Sequence, residues 1–129
     1  MAARDYTTTG TDLLSDEGRK VAFKIVDGRC PVCCRRMSRH GDKRTQLTLD
    51  HVVAHNNGGG AQGNLVPLCG SCNSSKRDAD LDAWLPARLV KTGRATTIRG
   101  ARRVAKRISA EVEEIRAELE ARLREKGIW

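Results

Sequence analysis

Residues 30–76 read CPVCCRRMSRHGDKRTQLTLDHVVAHNNGGGAQGNLVPLCGSCNSSK, and every cysteine and histidine of the chain lies among them. Two cysteine pairs share one spacing, Cys30-Pro-Val-Cys33 and Cys69-Gly-Ser-Cys72. Two tight turns that each offer two thiolates can enclose a tetrahedral ion, and four sulfur ligands leave no open position for chemistry. The pattern therefore predicts a structural zinc site. Redox or merely buried pairs would leave the repeated spacing unexplained. Cys34 falls outside both pairs and is expected to be a bystander thiol.

The rest of the composition is consistent with a metal-supported fold. A chain of 129 residues accommodates one ordinary domain with an extension. Aromatic residues make up 3% of it, so large rings do little to stiffen the core. Bound zinc would compensate, because its binding free energy is folding free energy. Four of five cysteines in CxxC pairs fit metal ligation in a reducing compartment better than disulfides. The formal net charge of +8 and pI near 9.7 favour a polyanionic partner, with DNA first. No apolar run reaches the length of a membrane span, and MAARDYTTTGTDLLSDE lacks the apolar core of a signal peptide. No membrane partner is expected, and a cytoplasmic location is.

Outward from the knuckles, SDEGRKVAFKIVDG predicts a short lead-in helix. Ser15 is its N-cap, Asp16 and Glu17 lie in its first turn, and Gly28 stands just past its end. TQLTLDHVVA alternates and is rich in β-branched residues, as a strand or hairpin would be. HNNGGGAQGN is a loop, and NSSKRDADLDAWL is expected to be helical, closed by Trp84 and Leu85 before Pro86. Residues 86–110 carry basic side chains and no acid. Val104, Ile108, Val112, Ile115, Leu119 and Leu123 then form one apolar stripe on a long helix, with Glu118 facing Arg122 and Glu120 facing Arg124. Arg102 and Arg103 crowd the start of that helix, against its dipole. The stripe can pack back on the core or join two chains in a homodimer, since periodicity gives the face and not the partner.

Between the knuckles stand an Asp-His pair, Asp50-His51, and two asparagines, Asn64 and Asn73. The order Cys-x2-Cys, Asp-His, Asn, Cys-x2-Cys-Asn resembles the HNH endonuclease family, the ββα-metal or His-Me finger nucleases, over residues 19–85. LDHVVAHNNGG is similar to the family's first strand and loop, GNLVPLC to its middle Asn segment, and CGSCNSSK to the start of its helix. The resemblance implies an α+β fold. Its ββα-metal core would carry two zinc knuckles, with the lead-in helix before it and the long amphipathic helix after. The expected organisation is a flexible arm over 1–14, the nuclease domain over 15–85, and a basic linker with the C-terminal helix over 86–129.

The resemblance also implies roles. His51 would be the general base, and Asn64 would brace the loop that orients it. Asp50 and Asn73 would hold a divalent cation, Mg²⁺ or Mn²⁺ with Ni²⁺ as a further candidate. These roles suit the side chains, because an imidazole accepts a proton near neutral pH and carboxylate and amide oxygens are hard ligands. Asn73 stands where the family often has His, which leaves the cation a weaker ligand. Cys34 stands where a Gly is common, so a positive φ there would be strained. Lys76 and Arg77, at the start of the metal-bearing helix, are expected to contact the phosphates of double-stranded DNA, with Arg35, Arg36, Arg102 and Arg103 widening that surface. His40 and His55 are expected to be solvated. Small free-standing members often serve phages or mobile elements, and the resemblance extends that expectation here. A non-catalytic zinc-dependent DNA-binding or assembly module would share the zinc, the charge and the long helix. It would not need Asp50, His51 and Asn73 in a catalytic geometry.

Overall fold

The computed structural model of the chain describes residues 14–39, 41–54, 60 and 62–129. His40, His55, most of the glycine-rich loop and residues 1–13 of the expected arm lie outside them. The fold is α+β. In chain order it runs α1 (Asp16–Ile25), β1 (Leu47–His51), β2 (Leu65–Cys69), α2 (Gly70–Lys76), α3 (Leu81–Lys91) and α4 (Ile98–Glu125).

Helix α1 begins as its sequence predicts. Ser15 Oγ accepts from Gly18 N at 3.1 Å. It ends at a turn in which Gly28 takes φ +70. Leu14, counted with the arm from sequence, instead belongs to the buried core and packs against Gly18.

Strands β1 and β2 pair antiparallel, from Leu47 opposite Cys69 to His51 opposite Leu65. The partner of β1 is thus LVPLC. Pro67 is tolerated there because β2 is laddered on one side only, leaving its missing N–H to the other edge. All five residues of each strand are buried. Helix α2 packs on both strands, and α1 and α4 pack on β2.

Two helices replace the single one expected after the second knuckle. Helix α2 ends at Arg77, whose φ of +54 breaks the helical path. Ser, Asn and Asp in NSSKRDAD favour caps over helix interiors, and Asp80 becomes the N-cap position of α3. Helix α3 does not stop at Pro86 but runs through it to Lys91. The missing N–H forgoes one bond, to the carbonyl of the exposed Asp82, where water can replace it. Part of the expected basic linker is therefore helix, with Leu89 fully buried.

The long helix α4 starts six residues before the stripe, at Ile98, with Thr97 Oγ1 accepting from Gly100 N at 3.0 Å. Arg99 lies in its first turn, and Arg102 and Arg103 come one turn later. Ile108, Val112, Leu119 and Leu123 are buried within the chain, together with Ala101 and Ala105, against α3 and α1. The stripe is used for packing, which leaves those four residues unavailable as a dimer face. Glu118–Arg122 and Glu120–Arg124 pair along the outside, as their spacing predicts.

Candidate metal and active sites

The four paired cysteines converge. The Sγ atoms of Cys30, Cys33, Cys69 and Cys72 lie within 4.8 Å of one another. Cys33 and Cys69 sulfurs are 3.7 Å apart. A tetrahedral ion with Zn–S bonds of about 2.3 Å separates its sulfurs by about 3.8 Å, so the cluster fits zinc. Hydrogen bonding within the cluster, from Cys33 first, pushes the Cys30 thiol up. The same kind of contact, from Cys30 first, pulls Cys69 down to about 6.

Local chemistry shapes both knuckles. A bridge between Arg29 and Arg36 closes the first, where Cys34 N donates to Cys30 O at 2.9 Å. Cys34 has φ +65, the left-handed conformation anticipated from its position, at a cost of about 1 kcal/mol. The second knuckle is also a helix start, since Cys69 is the N-cap residue of α2 and its Sγ accepts from Cys72 N at 3.4 Å. Gly70 cannot carry a side chain. An added Cβ would lie 1.6 Å from the Lys43 carbonyl oxygen, whose turn passes over the knuckle.

Two arginines from beyond the knuckles reach back to them. Arg88 Nε donates to Cys72 Sγ at 3.4 Å and its Nη2 to Ser71 Oγ at 3.1 Å. Arg94 Nη1 donates to the Val32 carbonyl at 2.7 Å. A zinc ion with four thiolates carries net negative charge, and Arg88 offsets it at one sulfur. Arg88→Gln is expected to release zinc to a chromogenic chelator about 10-fold faster than wild type. Equal release rates would show that the contact does not hold the metal.

The Asp-His pair closes β1. Along β1, Thr48 and Asp50 share one face, which meets the face of α2 carrying Asn73 and Lys76, and strand alternation directs His51 to the other side. Asp50, His51, Asn73 and Lys76 are only 2, 5, 6 and 2% exposed. Asn73 Nδ2 donates to Thr48 Oγ1 at 2.9 Å, and that hydroxyl donates to the Leu68 carbonyl at 2.7 Å. The amide is thereby held in one orientation. Asp50 Oδ1 accepts from His51 N at 2.8 Å, and Asp50 Oδ2 faces Lys76 Nζ at 3.2 Å. Burial pushes the Asp50 carboxyl above its ordinary range, with the Lys76 ammonium as the main opposing influence.

Lys76 thus departs from its expected place on a phosphate-facing surface. It is buried, one turn beyond Asn73, and its charge is directed at the carboxylate. A lysine on the exposed face of a short helix and one facing a strand carboxylate look alike in sequence. Arg35, Arg36, Arg77, Arg102 and Arg103 are all exposed, as a phosphate-facing role requires.

Asn64 bonds to the backbone just beyond β1. Its Oδ1 accepts from Val53 N at 2.9 Å, and its Nδ2 donates to the carbonyls of Val53 and Gly60, each at 2.8 Å. Both backbone groups of Val53, two residues past His51, are engaged by one side chain.

This geometry lies within residues 30–79, which match the HNH endonuclease family. This match spans less than half of the chain. No curated protein and no solved structure matches the chain. The matched segment takes in both knuckles, β1, β2 and α2, while α1, α3 and α4 lie outside it. Thr48, which holds the Asn73 amide, was not singled out from the sequence, although its place two residues before Asp50 on one strand was a usable signal. Arg88 gave no such signal, because its partner is 16 residues away through a tertiary contact. Among the described residues no helix is long and apolar enough to cross a membrane.

Proposed function

We propose that the chain is a divalent-metal-dependent DNA endonuclease that hydrolyses phosphodiester bonds. The observation that carries this reading is the meeting of Asp50 and Asn73 on the β1–α2 face, beside a His51 whose loop is tied by Asn64, inside an HNH domain.

The residues fit a hard cation on a feature of their own chemistry. Asp50 and Asn73 offer a carboxylate and an amide oxygen from one strand–helix face, and Lys76, 3.2 Å from Asp50 Oδ2, holds the place of positive charge there until a cation displaces it. Asp50 and Asn73 would hold Mg²⁺ or Mn²⁺ through oxygen atoms, with the zinc retained by the thiolates. The bound cation would offset charge on the phosphate and on the departing 3′ oxygen. His51 takes the proton of the attacking water, and Asn64 keeps the backbone that carries the imidazole in place. Thr48 fixes the Asn73 amide. The exposed arginines Arg35, Arg36, Arg77, Arg102 and Arg103 hold the backbone of double-stranded DNA without reading its sequence.

Product ends test the reaction. A labelled duplex treated with protein and Mg²⁺ or Mn²⁺ is expected to yield 5′-phosphate and 3′-hydroxyl termini that a ligase rejoins directly. Intact duplex, with salt-sensitive binding retained, would favour the non-catalytic zinc module instead.

Lys76 makes a separate prediction. Removing one partner of a buried ion pair costs about 3–5 kcal/mol, so Lys76→Met is expected to lower the urea stability of the zinc-loaded protein by that order when no Mg²⁺ or Mn²⁺ is added. Divalent cation is expected to restore more stability to the variant than to wild type. By calorimetry it is expected to bind about 10-fold more tightly, because no ammonium has to leave Asp50. Equal affinity in the two proteins would show that Lys76 and the cation do not compete.

A further inference from the structure

The three residues after His51 are held more completely than the HNH domain alone accounts for. Val52 N donates to the Asn64 carbonyl at 2.8 Å, and Val53 is engaged by the Asn64 side chain as described. The remaining ties come from outside the matched segment. Ala54 N donates to Asp80 Oδ1 at 2.6 Å, and Leu81 N donates to the Val52 carbonyl at 2.9 Å. Asp80 is the N-cap residue of α3, yet its side chain makes no cap hydrogen bond to that helix. A carboxylate that forgoes the usual capping contact for a distant backbone N–H gives up local helix stability in order to fix the loop.

The other end of the brace is tied to α4. Arg116 Nε donates to the Gly63 carbonyl at 3.0 Å, immediately before Asn64, while its Nη1 pairs with Glu113. Gly63 has φ +72, and an added Cβ would lie 3.1 Å from Glu120 Oε1, so α4 runs close along this turn. Helices α3 and α4 are themselves linked there, Ser109 Oγ donating to Asp82 Oδ1 at 2.6 Å. Val52, Val53, Asp80, Asp82, Ser109 and Arg116 line one cleft, where the loop and both helices meet.

From these contacts we infer that Asp80 and Arg116 are positioning residues for His51, which makes α3 and α4 part of the catalytic unit rather than appendages to the HNH domain. Asp80 acts on the chain just after the imidazole, and Arg116 acts on Asn64 through the carbonyl before it. The proposal rests on the nuclease reading above for its catalytic consequence, but not for the clamp itself.

The test uses the full, zinc-loaded chain and two readouts, steady-state cleavage of duplex DNA and amide hydrogen exchange of residues 50–54. Asp80→Ala is expected to lower kcat by about 10- to 100-fold, the range that follows from loosened placement of a reacting group. KM is expected to stay within about threefold. Exchange at Val52, Val53 and Ala54 is expected to quicken by about tenfold, with the zinc knuckles unchanged. Asp80→Asn keeps an acceptor oxygen and is expected to recover most of both losses. Arg116→Gln is expected to shift both readouts the same way by a smaller amount, and it carries the test if Asp80→Ala does not fold.

Wild-type kcat with unchanged exchange in these variants would overturn the proposal. So would protection lost evenly across the chain, which marks a merely structural role. If wild-type protein cuts no DNA, the nuclease reading fails and exchange alone decides the clamp. Faster exchange confined to 52–54 then supports it, and unchanged exchange overturns it.

Discussion

Stripping zinc from this chain is expected to abolish its cooperative unfolding transition at neutral pH. The four ligands come from both ends of the matched segment, Cys30 and Cys33 before β1 and Cys69 and Cys72 at the join of β2 and α2. Without the ion, four sulfurs within 4.8 Å repel one another once ionised, and Arg88 offsets the charge at one of them alone. Structural zinc in small sites contributes about 10–16 kcal/mol, whereas a whole domain is stable by about 5–15 kcal/mol. Loss of the larger quantity leaves nothing to hold the strands together. Circular dichroism during a thermal scan, with zinc content measured alongside, checks this. Chelated protein is expected to melt without a sharp transition and to regain it on addition of one equivalent of zinc. Some helical signal is expected to remain, because α4 is long and carries its own ion pairs. A cooperative melt within a few degrees of the zinc-loaded protein would remove the metal from the account of the fold.

Replacing His51 carries the second large effect. A general base contributes about 100- to 10,000-fold to rate, which corresponds to about 3–5 kcal/mol of barrier. Neither neighbour can substitute for it. Asp50 Oδ1 and Oδ2 are engaged by His51 N and Lys76 Nζ, and Asn73 has no basic nitrogen. His51→Ala is therefore expected to lose cleavage by that factor while binding duplex DNA about as well as wild type, since the exposed arginines are untouched. His51 is buried, so its truncation leaves a cavity at the end of β1. Zinc content and melting temperature must be matched before rates are compared, and His51→Gln fills the space better if Ala does not fold.

Much of this architecture could be read directly from residue types. The repeated CxxC spacing located the metal cluster, Ser15 located the start of α1, and the leucine and isoleucine stripe located α4. Each is a local signal, because turn ligands, caps and helical faces depend on a few neighbouring residues. The helix break at Arg77 was not legible in that way. Its φ of +54 is imposed by packing, with Lys76 turned inward to Asp50 on one side and Leu81 anchored to Val52 on the other. Pro86 misled for a related reason, since burial of Leu85 and Leu89 in the core outweighs one forgone hydrogen bond.

The candidate site divides along the same line. Asp50, His51, Asn64 and Asn73 were named from their order, and the structure brings Asp50 and Asn73 to one strand–helix face and ties the loop after His51 to Asn64. The residues that contact these side chains and the loop, Thr48, Lys76, Asp80 and Arg116, do so through contacts as far apart in sequence as Arg116 and Gly63. Only a folded chain shows which arginine of many faces a carbonyl and which faces solvent.

We propose His51 as the base of a metal-dependent DNA cleavage reaction in a fold that zinc holds together. Its most direct test is supercoiled plasmid incubated with wild-type protein and with zinc-loaded His51→Ala, in Mg²⁺, Mn²⁺, Ni²⁺ or EDTA. Nicked or linear product is expected from wild type with at least one of the cations, none in EDTA, and none from the variant over the same time. Cleavage in EDTA, or equal cleavage by the two proteins in any metal, would contradict it.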